Sequence, residues 1–142
     1  MPGKSTTFEN DYLKLVFGGV AIANIADNTA TAPLTALFVA LHTADPTDAG
    51  TQASNEATYT GYARVSVARP AGWTVTASSV SPAAAINFPA CTAGTSVCTF
   101  FSVGVAASGA TKILYSGAIT PSISVSTGVT PQLTTASTVT EA

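Results

Sequence analysis

Apolar residues along this chain fall into two rhythms. After residue 60 they recur at every second position in short runs bounded by Gly, Pro and Ser, the alternation of strands with one buried face. In Tyr62–Arg69, Val65 and Val67 point one way and Arg64, Ser66 and Ala68 the other. Pro70-Ala71-Gly72 turns the chain into a short strand, Trp73–Thr76, and Ser78–Ala84 reads as a Ser/Pro-rich link. Further strands are predicted over Ala85–Phe88, Val97–Val105, Lys112–Ile119 and Ile123–Ser126. Val129–Val139 is a last strand region, with Pro131 as an edge or start marker. Strands at roughly ten-residue spacing, with turns between them, predict a mainly β chain folded as a β-sandwich or small barrel.

The first part has a helical rhythm instead. Leu13, Val16 and Phe17 share one helical face, Asn10 or Asp11 serves as cap, and Gly18-Gly19 supplies the stop. Met1–Thr7 reads as a polar tail, Val20–Ile25 as a short strand or a continuation of the helix, and Ala26–Pro33 as a polar connection. Leu34–Asp48 then begins as a strand carrying the core candidates Leu37, Val39 and Leu41, and breaks at His42-Thr43-Ala44-Asp45-Pro46. Pro46–Thr60 follows as a long aperiodic loop, of the kind that is usually functional or an interaction arm. The chain therefore divides into an extended N-terminal arm with a short helix, residues 1–33, and a β-sandwich-like body, residues 34–142, within one compact domain.

Composition changes what such a domain is suited for. Only 8 % of the residues are charged, far below the roughly 25 % of an ordinary soluble chain. Hydrophobic residues make up 46 %, and Thr, Ser, Ala and Gly dominate the rest. Short uncharged side chains lose little entropy when ordered against a neighbour, which favours extensive, permanent packing on other chains. The net charge of −2 and five scattered basic residues argue against nucleic-acid binding, which needs clustered Lys and Arg. No apolar run approaches the ~20 residues of a membrane span. Leu13–Ile25 imitates the apolar part of a signal peptide, but Glu9, Asp11 and Lys14 oppose that reading, so none is expected.

His42 beside Asp45 is the arrangement that most invites a catalytic or metal reading. A triad needs a framed nucleophile, and no GxSxG elbow supplies one; zinc needs more His or Cys ligands than this chain gathers. A hydrogen-bonded histidine at a strand end is the expectation. Asp45, Asp48, Asn55 and Glu56 are oxygen ligands in one loop, yet they lack the spacing of a calcium loop, and turn solvation accounts for them. Trp73, Phe88, Phe100, Phe101 and Tyr115 are interleaved with Val and Ile, which favours a core over a sugar-stacking platform. Without GxGxxG, P-loop or HExxH, neither an enzyme nor a cofactor or metal site is expected. Cys91 and Cys98 flank a turn-like segment. If Phe88–Cys91 and Cys98–Phe101 pair as a hairpin, a disulfide closes a short loop and stabilises by about 2 kcal/mol. Two free thiols in a reducing cytosol are equally compatible.

Several segments in order carry a further signal: Leu41-His42-Thr43-Ala44-Asp45-Pro46, Gly61-Tyr62-Ala63-Arg64-Val65, Ile86-Asn87-Phe88-Pro89-Ala90, Ser102-Val103-Gly104 with Ala107-Ser108-Gly109, Ile113-Leu114-Tyr115-Ser116-Gly117-Ala118, and Gly128-Val129-Thr130-Pro131. Together they resemble small virion proteins of tailed bacteriophages, often labelled tail-fibre-like, some of which resemble capsid decoration (cement) proteins. The resemblance covers most of the chain, Phe8–Asp27 included; the cysteine pair stands outside it. It implies a β-sandwich-like module without catalytic residues, a homotrimer, made in the host bacterial cytoplasm and carried on the virion. A fibre would normally need a repetitive or coiled-coil shaft, which this sequence lacks. The expected place is therefore the capsid surface, where the protein binds the major capsid protein and bridges neighbouring subunits to stabilise the head. A tail-fibre or tail-associated protein in host attachment is the alternative. Contact candidates are Tyr12, Leu13, Val16 and Phe17 on the helix and Asp48, Asn55 and Glu56 in the loop, together with the tail Met1–Thr7.

Overall fold

The computed structural model describes residues 5–22, 25 and 33–141. Residues 1–4 of the predicted tail, 23 and 24 of the Val20–Ile25 segment and 26–32 of the predicted connection lie outside the described residues. Among the described residues one helix, α1 (Thr6–Gly18), precedes nine strands: β1 (Ala36–His42), β2 (Val65–Ala68), β3 (Trp73–Thr76), β4 (Ser79–Pro82), β5 (Ile86–Asn87), β6 (Ser96–Gly104), β7 (Ile113–Val125), β8 (Gln132–Leu133) and β9 (Val139–Thr140). They form a four-stranded sheet in the order β2-β1-β6-β7, a three-stranded sheet β3-β4-β9 and a pair β5-β8, with every pairing antiparallel. The fold is mainly β, sandwich-like, with no closed barrel among the described residues.

The helix starts earlier than Asn10 or Asp11. Ser5 is extended, its Oγ accepts from Phe8 N at 3.3 Å, and its carbonyl accepts from Glu9 N at 2.9 Å, so it caps the orphan donors of the first turn. Asn10 instead lies inside the helix and donates to the Ala77 carbonyl in the β3–β4 turn. Gly19 ends the helix at φ 64°, a left-handed conformation that glycine adopts without a Cβ penalty. The last turn holds no basic residue of its own. Arg69, just beyond β2, supplies the cation, donating to Leu15 O at 2.7 Å and Leu34 O at 2.8 Å.

Leu13 and Phe17 are fully buried where α1 lies against β3 and β4. Phe17 meets Trp73 edge-on with ring centroids 4.8 Å apart, and Tyr115 at 5.7 Å. A Phe buried to this extent contributes up to about 3 kcal/mol by removal from water. The core continues through Leu37, Val39 and Leu41 of β1, Phe101 and Val103 of β6, Val80 of β4, and Ile86, Phe88 and Leu133 around the small β5–β8 pair. Trp73, Phe88 and Phe101 are thus core residues, as their spacing predicts, while Phe100 and Tyr115 are half-buried.

Four sequence expectations change. Ser78–Ala84 contains β4, because Val80 and Pro82 alternate inward against Trp73 and Val75, and polar Ser positions on the other face cost little. Lys112–Ile119 and Ile123–Ser126 belong to one strand, β7. The ladder runs Phe100↔Ala118 and then Cys98↔Ile123, so Pro121 sits in an unpaired bulge of an edge strand, where its missing N–H is tolerated. Val129–Val139 yields only the short β8 and β9. The predicted Phe88–Cys91/Cys98–Phe101 hairpin does not form: Phe88 N and Cys91 N donate to Pro131 O and Val129 O, while Cys98 pairs with Ile123. The two thiols are free and buried. The Cys91 thiol donates to the Ala93 and Gly94 carbonyls, and burial pushes the Cys98 thiol up to about 11.

Candidate functional site

β1 is the strand on which the polar chemistry is assembled. Leu37, Val39 and Leu41 face the core, so Phe38, Ala40 and His42 face the other way. That second face is not open to solvent. The segment from Thr43 to Thr60 folds back over it, and Ala40, Leu41 and His42 are all fully buried. The predicted interaction arm is therefore a packed cover. Thr43 N donates to Asn55 O and Ala57 N to Leu41 O, His42 bridges to Glu56, and Thr60 bridges to Ala93.

Between cover and sheet lies a continuous polar network. His42 Nδ1 is 2.8 Å from the Ser54 carbonyl, which only accepts, so Nδ1 carries the proton and Nε2 is the acceptor. Nε2 therefore accepts a hydrogen bond from the Ser102 hydroxyl, 2.8 Å away across the β1–β6 ladder. Ser102 Oγ in turn accepts from Gln52 Nε2 at 3.3 Å, which also donates to Phe38 O at 2.9 Å. Gln52 Oε1 accepts from Thr111 Oγ1 at 3.2 Å and Arg64 Nη1 at 3.4 Å. Burial holds the imidazole below its ordinary pKa; the Ser54 carbonyl and Glu56 act in the opposite direction.

Arg64 closes the network. Its Nε donates to Glu56 Oε1 at 2.7 Å and its Nη2 to Glu56 Oε2 at 2.9 Å, a two-pronged ion pair with the Arg64 side chain 2 % exposed and that of Glu56 18 %. The remaining donors reach Ala106 O, Thr111 Oγ1 and Gly109 O. Glu56 Oε1 also accepts from the Tyr62 hydroxyl, whose own oxygen accepts from Leu41 N at 3.1 Å. The Glu56 hydrogen bond raises the Arg64 pKa, and burial raises that of Tyr62. One guanidinium thus ties the Thr43–Thr60 cover, the approach to β2 and the β6–β7 connection to one another.

Two glycines make room for this. A Cβ on Gly104 would lie 2.1 Å from Gln52 Cδ and Oε1, and one on Gly50 only 1.8 Å from Pro46 O. Sequence pattern places Arg64 on the solvent face with Ser66 and Ala68; the structure buries it to 9 % exposure. Gln52 and Ser102 carry no sequence signal of their own. The signal lay in the segments quoted above, because His42, Tyr62, Arg64, Ser102, Gly104 and Gly109 come from four of them and meet here.

His42 and Asp45 are not a pair. Asp45 is exposed and caps its own turn, with Oδ1 accepting from Thr47 N at 2.8 Å, while both His42 nitrogens are occupied. Among the described residues no three His, Cys, Asp or Glu side chains converge as metal ligands. No described helix is long and apolar enough to cross a membrane. The contact candidates separate into two kinds. Leu13 and Phe17 belong to the chain's own core, Val16 is packed against it, and Glu56 is engaged by Arg64; their side chains are committed within the fold. Tyr12 is 37 % exposed beside Phe8 at 38 %, and Asp48 and Asn55 are exposed on the cover. Asp48 helps line an open cavity of about 430 Å3 with Lys112 and the start of β7. Val20, Ile25, Leu34 and Val97 add exposed apolar side chains outside the core.

The protein-family model described as "Gp80: Podophage GP4 fiber I protein gp80" matches residues 3–141, nearly the whole chain. No curated protein matches it.

Proposed function

The chain belongs to the podophage GP4 fiber I protein family, a family of tailed-phage virion proteins, and from that premise we propose that it is a non-enzymatic building block of a fibre on the virion exterior. The observation that carries this reading is the match over residues 3–141, whose family description names a fibre protein. The physical character of the chain supports it. With charged residues at 8 %, the exposed Val20, Leu34 and Val97 stand in stretches poor in charge, and Phe8 and Tyr12 add apolar area on α1 beside Glu9, Asp11 and Lys14, a surface suited to permanent packing against copies of itself in a homotrimer.

A second reading is favoured by one specific feature. The described residues form a compact body in which α1 is docked on β3 and β4, with no shaft-like repeat. Such a body suits a decoration protein that binds the major capsid protein on the capsid surface and bridges neighbouring subunits, stabilising the head by area buried over many copies. Quantitative gel analysis of purified virions, with gold-labelled antibody to this chain, tests both. A fibre subunit is expected at tens of copies or fewer, with label at the appendages. Hundreds of copies spread over the head would overturn the fibre reading in favour of decoration, and absence from purified particles would overturn both.

A further inference from the structure

The buried network is balanced for a neutral imidazole. His42 Nδ1 must donate, since its partner is the Ser54 carbonyl. With the ring neutral and its proton on Nδ1, His42 Nε2 accepts from the Ser102 hydroxyl, whose oxygen accepts in turn from Gln52 Nε2. Adding a proton to Nε2 aims two N–H donors at Ser102 Oγ and leaves the Ser102 hydroxyl proton without its acceptor. A buried donor without a partner and a buried cation are both costly. Water relieves the mismatch only by reaching the ring, and the side that can lift to admit it is the cover carrying Ser54, because Ser102 is locked into the β1–β6–β7 ladder.

The charged and titratable groups around the ring do not remove this penalty. From the cover, Glu56 attracts an imidazolium, but both its oxygens are already taken by Arg64 and Tyr62. From the approach to β2, Arg64 repels it and Tyr62 is neutral. From β6, Cys98 is a neutral buried thiol. Asp45 on the cover is exposed and turned to Thr47.

We propose that His42 is an acid-sensitive latch whose protonation releases the Thr43–Thr60 cover from the four-stranded sheet while the sheet remains folded. The direction in which burial shifts the imidazole agrees with this. Opening hydrates the ring, so the open form binds one proton more than the closed form. The opening constant then rises by up to about tenfold per pH unit as pH falls below the ordinary imidazole value. The cover presents Asp48 and Asn55, so acid would alter the surface that carries them, wherever on the virion the protein sits.

Hydrogen exchange of the full-length protein, corrected for intrinsic rates, tests the latch between pH 7.5 and 4.5. Amides of Thr43, Gln52 and Ala57 are expected to lose protection by ten- to a hundredfold, while amides of β6 and β7 keep theirs. His42 is the only histidine, so its NMR resonance gives the protonation midpoint directly, and cover amide shifts are expected to move with that midpoint. In His42→Gln the cover is expected to be looser throughout but independent of pH across the window. Three outcomes overturn the proposal: cover protection that does not change with pH, cover and β6–β7 amides opening together, or a pH response that persists in His42→Gln. If that variant does not fold, the wild-type comparison of imidazole and cover midpoints decides alone, and midpoints that differ reject the latch.

Discussion

Gly104→Ala is the substitution whose effect follows most directly from the geometry. Gly104 is fully enclosed on β6 opposite Phe38, and its backbone is not in the left-handed region, so the consequence is steric. The new methyl would stand 2.1 Å from Gln52 Cδ and 2.6 Å from Nε2, separations no packed structure holds. Gln52 is fully buried, and rotating away would cost its bonds to Phe38 O, Ser102 Oγ, Thr111 Oγ1 and Arg64 Nη1. Leaving even two of those partners unsatisfied costs about 1–3 kcal/mol each, and forcing the methyl in beside an unmoved Gln52 costs a comparable amount by overpacking. The expected loss is therefore about 3–5 kcal/mol, from a domain whose total stability is of order 5–15 kcal/mol. Urea unfolding followed by fluorescence measures it, since Trp73 is the only tryptophan and is packed on Phe17. The decisive step is a double-mutant cycle. In a Gln52→Ala background the obstructing side chain is gone, so adding Gly104→Ala is expected to cost under about 1 kcal/mol, giving a coupling of 2 kcal/mol or more. If the two substitutions add within about 0.5 kcal/mol, the side chains do not compete for that space and the reasoning fails.

Other expectations follow from the same network and core. Glu56→Gln, leaving Arg64 buried without its counter-charge, is expected to destabilise by about 3–5 kcal/mol, and Arg64→Lys to recover little because one ammonium cannot replace the forked contacts; urea midpoints check both. For His42 the folded pKa lies below the unfolded 6.5, so its contribution is present above 6.5 and is lost as pH falls toward the folded value. Stability is expected to drop by up to about 1.4 kcal/mol per pH unit in that window, and His42→Gln to flatten the slope relative to wild type. Native protein is expected to react slowly with a thiol reagent and denatured protein to show two free thiols by mass; rapid native labelling of Cys98, whose thiol is pushed up to about 11, would contradict its burial. Phe17→Ala is expected to cost about 3–5 kcal/mol, checked by the same unfolding assay; a negligible loss would mean that α1 is not docked on the sheets.

Much of the β framework was legible because alternation survives wherever one face is wet. Val65 and Val67 against Ser66 and Ala68, and the Trp73–Thr76 strand, follow their pattern directly. Reading failed where that condition failed. β7 continues through Pro121 because the bulge falls where the ladder has no need of an N–H, which residue type alone does not reveal. β4 is a strand because its neighbours supply pairing that Ser-Val-Ser-Pro would not demand. The cover reads as an arm because Pro46–Thr60 is long and aperiodic, and no pattern there marks Gln52, Glu56 or Asn55 as inward-facing. Only the tertiary placement of Arg64 and Ser102 shows that the first two of these point inward. Ser5 was overlooked as the helix cap because the apolar face begins well after it, although a serine ahead of Glu9 in the first turn is a start signal.

The segments that carry the family resemblance supply most of the buried polar network. His42, Tyr62, Arg64, Ser102, Gly104 and Gly109 converge on a network whose hydrogen bonds are made within the chain. A sequence selected to keep that network must keep a histidine at the end of β1, an arginine entering β2 and a glycine opposite Gln52, whatever surface it presents elsewhere. Phe8, Val20, Leu34 and Val97 are exposed apolar side chains at other positions, and Tyr12, partly exposed beside Phe8, is tied to Tyr115 by a side-chain hydrogen bond. On the proposed reading, packing on the particle draws on these exposed residues instead, so polar substitutions at Phe8, Val20, Leu34 or Val97 are expected to alter assembly without moving the urea midpoint.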